Sequence, residues 1–193
     1  NSSLYYTLSE DHIFSLEAQH LYDEQDPLYE AERSFLPFTG LIPFDTSGSS
    51  YRIGQEKWVK TNKWDARGEY YYVLSPKSNL NLTLGTIYSN QDFNSGIFQV
   101  LNNQKVTMPG NALANEVTFR FTDLFAGAHL KFVTGIFTWT PGFNVHRYGL
   151  EDIQFGDVNT QYSTNLVPDV AVNVQLKKSE TIRFNYGVTR EFT

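Results

Sequence analysis

The 193-residue sequence contains no cysteine. This absence excludes disulfide frameworks, thiolate metal sites and cysteine nucleophiles. No apolar run approaches the roughly 18 residues that a transmembrane helix needs, so the sequence encodes no such helix. A Gly-rich phosphate loop, a nucleophile elbow and a carboxylate pair at defined spacing are missing as well, and we predict that the chain is not an enzyme. The net charge of −6 makes nucleic acid an unfavourable partner.

The sequence does have two-residue alternation, and the chain is organised around one such stretch, residues 58–84. One face of the first strand there carries aromatic and small side chains, including Trp64, Tyr70 and Tyr72. The opposite face carries four charges in a row: Lys63, Asp65, Arg67 and Glu69. Successive side chains of a strand point to opposite faces, so one face is apolar and the other is wet. A transmembrane barrel needs this combination, with lipid outside, water inside and aromatic residues at both interfaces.

We predict an all-β fold, an antiparallel up-and-down meander of about eight strands that forms part of a larger transmembrane β-barrel. The predicted strands are 4–8, 13–22, 58–74 (with 51 as the earliest start), 80–88, 117–132, 136–148, 166–176 and 182–188. Tight turns between them alternate with three long loops at 23–50, 90–115 and 150–164. This asymmetry is typical of outer-membrane barrels, whose periplasmic turns are short and whose external loops are long.

The strand at 117–132 changes its apolar phase. Its apolar side chains occupy odd positions from Val117 to Phe121 and even positions from Leu124 to Phe132. This one-residue shift indicates either a bulge or a boundary between a loop and a membrane portion. On the next strand Pro141 lies on the apolar face, which is unusual for a central strand.

The first and last connections, 9–11 and 177–181, are both tight, which places both ends of the sequence on the long-loop side. A self-contained bacterial barrel begins and ends on the short-turn side. We therefore interpret residues 1–193 as a single segment of an outer-membrane β-barrel domain, without its plug and its remaining strands. Two alternatives stay open: a soluble β-sandwich for binding or adhesion, with its apolar faces between two sheets, and a stand-alone eight-stranded outer-membrane barrel.

Two hairpins resemble a known family. Residues 127–148 read GAHLKFVTGIFTWTPGFNVHRY, and the closing hairpin contains VPDV at 167–170 and KSETIRFNY at 178–186. Both resemble the barrel domain of TonB-dependent outer-membrane receptors of the Bacteroidetes type. The resemblance covers most of the chain as a pattern of hairpins.

The resemblance implies a barrel of about 22 strands around a plug, located in the bacterial outer membrane. It implies import of a scarce solute such as an iron chelate, a vitamin, a glycan or a peptide. The expected partners are outer-membrane lipid, the plug domain of the same full-length chain, TonB through that plug, and a surface lipoprotein. No cofactor is expected.

The polar face supplies the candidate contact residues. We expect its lumen-facing side chains to contact the plug or a polar substrate: Lys63, Asp65, Arg67, Glu69, His129, Lys131, Asn144, His146, Asp169, Asn173, Arg183 and Asn185. The alternative is a solvated face whose cross-strand ion pairs stabilise it weakly. The four histidines match no local metal motif, so we predict no metal site.

A second candidate group lies in the first long loop. Phe35, Phe38 and Phe44 form an aromatic patch there. These rings would contact substrate or an external lid protein, or pack against a neighbouring loop.

Overall fold

The computed structural model describes residues 1–36, 40, 44–46, 50–107 and 113–188. Within these ranges the chain is almost entirely β-strand and contains no α-helix. The strands are β1 (Ser2–Ser9), β2 (His12–Gln25), β3 (Leu28–Arg33), β4 (Tyr51–Ser75), β5 (Ser78–Leu101), β6 (Gln104–Thr107), β7 (Ala114–Thr134), β8 (Phe137–Gln154), β9 (Asp157–Lys177) and β10 (Glu180–Gly187).

All ten strands belong to one antiparallel sheet. Its order is β1-β2-β4-β5-β7-β8-β9-β10, with β3 paired to β4 and β6 paired to β5. The main path therefore has the eight strands and the up-and-down order that the sequence predicts. Strands β1 and β10 are the two edges and do not pair with each other. The predicted all-β meander is confirmed.

Short connections tie the strands at one end of the sheet. Two residues each join β1 to β2, β4 to β5, β7 to β8 and β9 to β10. The third of these turns contains Gly135 with a φ of 60°, which a glycine adopts without steric cost. The register shifts at three places beside the turns, next to Ser9, Ser75 and Glu180. These four tight turns are where the sequence predicts them.

The three predicted long loops are wrong in large part, because strand structure continues through them. β2 extends to Gln25, and β3 continues the pairing with β4 in the same register as far as Arg33. β5 extends to Leu101 and turns at Asn102–Asn103 into β6. β8 and β9 form one long hairpin that turns at Phe155–Gly156.

Two tight turns, at Asn102–Asn103 and at Phe155–Gly156, connect the extended strands. Asn102, Asn103 and Phe155 have positive φ angles of 50°, 61° and 51°, and Gly156 has a φ of 90°. Consecutive residues with positive φ form the two-residue turn whose twist matches that of paired strands. β4, with 25 residues, is far longer than the roughly 9–11 residues that a tilted strand needs to cross a bilayer. The excess length projects beyond one end as paired strands.

β7 contains no bulge, so of the two predicted explanations of its phase change only the boundary between a loop and a membrane portion stays open. The register between β5 and β7 runs without a shift from Ser78↔Phe132 to Gly96↔Ala114. The phase change arises because Val117, Phe119 and Phe121 are aromatic or apolar residues on the polar face of the sheet. Pro141 is accommodated in β8, where no pairing to β7 is recorded at Pro141 and Thr140.

The sheet has an apolar face that nothing in the described residues covers. Its side chains share one set of register rows, and many are large and exposed, such as Leu84 at 69% and Leu166 at 62%. Other exposed members are Leu4, Tyr6, Phe14, Leu16, Leu82, Leu124, Phe143, Val145, Phe184 and Tyr186. Among the described hydrophobic residues, only Phe44 and Phe98 are buried. A single layer of this kind has no internal core.

The apolar face ends at an aromatic row and then becomes polar. Trp64, Tyr88 and Tyr162 lie at this boundary, level with His20. The next row out, on the same face, is Tyr22, Asn62, Asn90, Arg120, Glu151 and Thr160. The row after it starts with Glu24, Lys60, Asp92 and Thr118 and ends in the apolar Ile153 and Val158. We call these two rows the outer polar rows. No helix in the described part of the chain is long and apolar enough to cross a membrane.

Candidate functional site

The polar face of the sheet carries all twelve of the polar side chains singled out from the sequence. Alternation along each strand and continuous register between strands place them together opposite the apolar face. They span β4 to β10. The structure therefore brings them to one surface, and their contacts distinguish those that are engaged from those that are free.

Arg67 is the centre of a charged cluster on β2 and β4. Its Nη2 atom lies 3.0 Å from Glu17 Oε2, and its Nε atom lies 3.6 Å from Glu69 Oε1. Glu69 also accepts hydrogen bonds from the Tyr71 hydroxyl at 3.0 Å and from Ser15 at 3.4 Å. Arg67 is 45% exposed, so these ion pairs stay in contact with solvent and stabilise little.

Lys63 and Asp65, on the same strand, make no ion pair within 4.0 Å with any described residue. Lys131 on β7 is equally unengaged within the described ranges. Arg183 donates from Nε to Asn173 Oδ1 at 2.8 Å, which orients its guanidinium along the sheet. Three charged groups thus remain free to meet a partner, whereas Arg67 and Arg183 are held in place.

His129 and Asp169 form a pair across an intervening strand. The register row runs from His129 on β7 through Gly142 on β8 to Asp169 on β9. His129 Nε2 lies 3.0 Å from Asp169 Oδ1 and 3.2 Å from Oδ2. The contact needs Gly142, because a Cβ added there would be 2.0 Å from the imidazole.

His146 forms a second pair, with Asp123 on the neighbouring strand. Its Nδ1 atom lies 3.0 Å from both carboxylate oxygens, and Asp123 is only 5% exposed. Phe125 and Tyr148 both stack on the His146 ring at 5.3 Å between centroids. The two histidines do not contact each other through these pairs, since each has its own aspartate.

Asp123, Phe125 and Tyr148 were missed as site residues. The signal that could have revealed them is the apolar phase of β7, whose odd positions include Phe121 as well as Phe125. Phe121 stacks on Tyr148 with 6.2 Å between ring centroids. The polar face is therefore a mixed surface, with an aromatic column beside its charged cluster.

Glycines make room for the large side chains of this face. A Cβ added at Gly85 would be 2.3 Å from the Phe125 ring, and one added at Gly127 would be 2.0 Å from the Asn144 amide. The Phe125 ring and the Asn144 amide therefore occupy the space that a side chain at Gly85 or Gly127 would fill. This explains why Gly85 and Gly127 occur on a face that is otherwise polar or aromatic.

Phe35 and Phe44, two of the three aromatic loop residues, differ in their exposure to solvent. Phe35 is 63% exposed, and the Arg33 guanidinium lies 5.9 Å from its ring centroid. Phe44 is 9% exposed, which suits the predicted alternative of packing within the protein better than contact with a substrate or a lid protein. Phe38 lies outside the described residues.

Gln99 holds the segment that follows Phe44. Its side-chain amide accepts from the Asp45 backbone N–H and donates to the Asp45 carbonyl, both at 2.9 Å. Gln99 is 3% exposed. The Gln99 amide thus forms the two hydrogen bonds that the backbone of a neighbouring strand would form, and it holds residues 44–46 against the end of β5.

Acidic and histidine groups do not converge into a metal site in the described ranges. No group of three or more His, Asp or Glu side chains there is placed to hold a metal ion. The arrangement can pair charges, accept hydrogen bonds and stack rings. It offers binding chemistry.

This geometry is that of a segment of an up-and-down β-barrel wall, with one apolar face, one polar face and two open edges. Among solved structures, the chain is similar to the ferric citrate transporter FecA in its unliganded form. The TM-score is 0.57 with 13% sequence identity over 95% of this chain. The chain spans 25% of the length of that transporter chain, so the likeness concerns part of the barrel fold.

No model of a known protein family matches the chain, and no curated protein matches it in sequence.

Proposed function

We propose that the chain is part of the barrel of a TonB-dependent outer-membrane receptor of the Bacteroidetes type, which imports a scarce solute. The observation that carries the proposal is the uncovered apolar face, which ends at an aromatic row and gives way to the outer polar rows. A sheet with this banding matches a bilayer in contact with its outside, with aromatic side chains at the interface. The fold similarity to the ferric citrate transporter FecA supports the same interpretation.

The two alternatives lack such support. A soluble sandwich needs a second sheet over the apolar face, and all described strands belong to one sheet. A stand-alone eight-stranded barrel needs β1 to pair with β10, and these strands are the two edges. The open edges instead suit pairing with further strands of a larger wall.

The strand ends beyond the aromatic row of Trp64, Tyr88 and Tyr162, together with β3 and β6, are called the paired extensions. In the proposed receptor, they form the external vestibule that captures the solute. The polar face lines the lumen, where Lys63, Asp65 and Lys131 are free to pair with a plug domain of the same full-length chain. TonB would act through that plug, and a surface lipoprotein would meet the extensions. The solute class, whether an iron chelate, a vitamin, a glycan or a peptide, follows from the family proposal alone.

Cysteine scanning tests the membrane placement, because this chain contains no cysteine of its own. Val170 and Val172 on the apolar face, and Ala171 and Asn173 on the polar face, would each be replaced singly in the complete protein in outer membranes. We expect a water-soluble maleimide to label only positions 171 and 173, and a lipid-soluble one to label 170 and 172. Labelling of all four by the water-soluble reagent would exclude a lipid-facing wall.

Transport is tested separately, by growth on limiting iron chelate, cobalamin, glycan or peptide. Deletion of the gene and deletion of TonB should abolish growth on the same solute. Growth that depends on the gene but survives loss of TonB would exclude the energy-coupled mechanism while leaving the barrel placement intact.

A further inference from the structure

Among the residues that the structure describes, Arg147 is the one arginine on the apolar face below its aromatic boundary. The register places it between Leu124 on β7 and Thr164 on β9, one row inside Trp64, Tyr88 and Tyr162. Its guanidinium has no ion pair or hydrogen bond with any described residue. By contrast, Arg120 in the outer polar rows is held by Glu151 at 2.5 Å and by Asn90 at 3.1 Å.

The surroundings of Arg147 form an open concavity of about 300 Å³. It is lined by Tyr88, Arg120, Leu124, Arg147, Glu151 and Tyr162. Gly149 contributes no side chain, and the Tyr162 ring lies over it, 3.1 Å from where a Cβ would be. The space therefore opens towards the apolar side, with leucine at its inner end and tyrosine rings beside it.

An unpaired arginine among lipid-facing side chains is costly unless an anion meets it or its head reaches the interface. Arginine binds phosphate oxygens through two parallel N–H donors, and the flanking tyrosines lie where lipid headgroups lie in a bilayer. The nearest acidic group in the concavity, Glu151, is already paired with Arg120. The positive charge of Arg147 is thus left for a ligand.

We infer that this concavity binds a phosphate group of an outer-leaflet glycolipid, with Arg147 as the direct ligand. The inference rests on the proposed function, which places the paired extensions outside the cell and the concavity at the outer leaflet. The tyrosines border the headgroup, and Leu124 and Val145 contact the first acyl carbons. The site is on the outside of the wall and is independent of any imported solute.

The test uses the complete protein in nanodiscs of zwitterionic phospholipid with diphosphoryl lipid A as the probe. Native mass spectrometry counts bound glycolipid. Arg147→Gln should weaken binding by about tenfold, the effect of losing charge-assisted hydrogen bonds. Arg147→Lys should retain part of the binding, and Lys105→Gln, which removes the same charge from the distant β6, should leave it unchanged.

Two further arms fix the ligand chemistry. Lipid A stripped of both phosphates should not bind above the level of the zwitterionic lipid, and inorganic pyrophosphate should not displace the intact glycolipid. Equal glycolipid counts for the wild type and Arg147→Gln, or full displacement by pyrophosphate, would overturn the inference. Heat-modifiable migration of each variant shows that it is assembled. A wild-type protein absent from the outer membrane would instead refute the proposed function.

Discussion

His129 and Asp169 touch across β8, which lies between their strands, and Gly142 is the residue that lets them meet. The imidazole lies over the Gly142 backbone, where any larger side chain would occupy the same space. A contact of this kind links three strands of the wall. It is set by a glycine as much as by the two polar residues.

We expect Gly142→Ala to separate His129 from Asp169 and to destabilise the folded protein by about 1–3 kcal/mol, as overpacking does. The measurement is the urea midpoint of unfolding in lipid bilayers. Gly68→Ala is the matched control, because its Cβ would meet no atom closer than 3.9 Å. Equal midpoints for the two variants would show that the histidine yields without cost.

Val172 and Ala171 are neighbours on β9 that face opposite sides. Val172 pairs with Trp139 and Phe184 on the apolar face, and Ala171 pairs with Thr140 and Asn185 on the polar face. We expect Val172→Arg to impair assembly by about 2–4 kcal/mol through lipid exposure of the charge, and Ala171→Arg to assemble normally. Heat-modifiable migration of outer-membrane fractions measures this. Normal assembly of both variants would contradict the two-faced placement.

Gln99 should control the local stability of residues 44–46. We expect Gln99→Ala to remove two hydrogen bonds to Asp45 and to raise the hydrogen-exchange rate of the Asp45 amide by about tenfold or more. Gln91→Ala is the control, since the Gln91 side chain makes no hydrogen bond with any described residue. An unchanged Asp45 rate would mean that contacts other than the Gln99 amide hold the segment.

Glu24 lies in the outer polar rows and gives a pH prediction. The Tyr22 hydroxyl donates a hydrogen bond to the Glu24 carboxylate at 2.5 Å, and Trp58 Nε1 donates another at 2.9 Å. Both hydrogen bonds lower the pKa of the Glu24 carboxyl, and the bond from Tyr22 has the larger effect. A lowered pKa in the folded state contributes stability above the ordinary value of 4.5 that is lost as the pH falls through the folded pKa.

Carboxyl NMR titration of Glu24 should therefore give a midpoint below 4.5. Tyr22→Phe removes the larger contribution and should move that midpoint up towards 4.5, whereas Tyr29→Phe should leave it in place. A midpoint that does not respond to Tyr22→Phe would assign the shift to Trp58 and the Lys60 charge instead.

The sequence was sufficient to predict the alternation, the four tight turns and the polar-face membership of all twelve candidate residues. Where one face meets an apolar medium and the other meets water, a strand leaves a clear two-residue pattern. That pattern fades in the extensions, where Asn90 and Asp92 on one face lie beside Ser89 and Gln91 on the other. Backbone hydrogen bonding continues there although the two faces do not differ in hydrophobicity, so the sequence pattern predicts loops where the structure has strands.

The partners within the site were harder to predict. The pairing of His129 with Asp169 depends on a register across three strands, and the burial of Asp123 depends on rings stacked from β7 and β8. Residues 44–46 are held by Gln99, which lies 54 positions after its hydrogen-bond partner Asp45. Hairpin signals were nevertheless present in Asn102–Asn103 and at Gly156, since Asn and Gly accept positive φ most readily.

The backbone pairing of the paired extensions limits where residues can be inserted into the protein. One residue added inside β5 or β9 would exchange the inner and outer sides of everything beyond the insertion, because each step along a strand reverses direction. Additions at Asn102–Asn103 or Phe155–Gly156 leave both flanking ladders in step. These two tips are therefore the positions at which an epitope tag or a fluorophore can be carried with the wall intact.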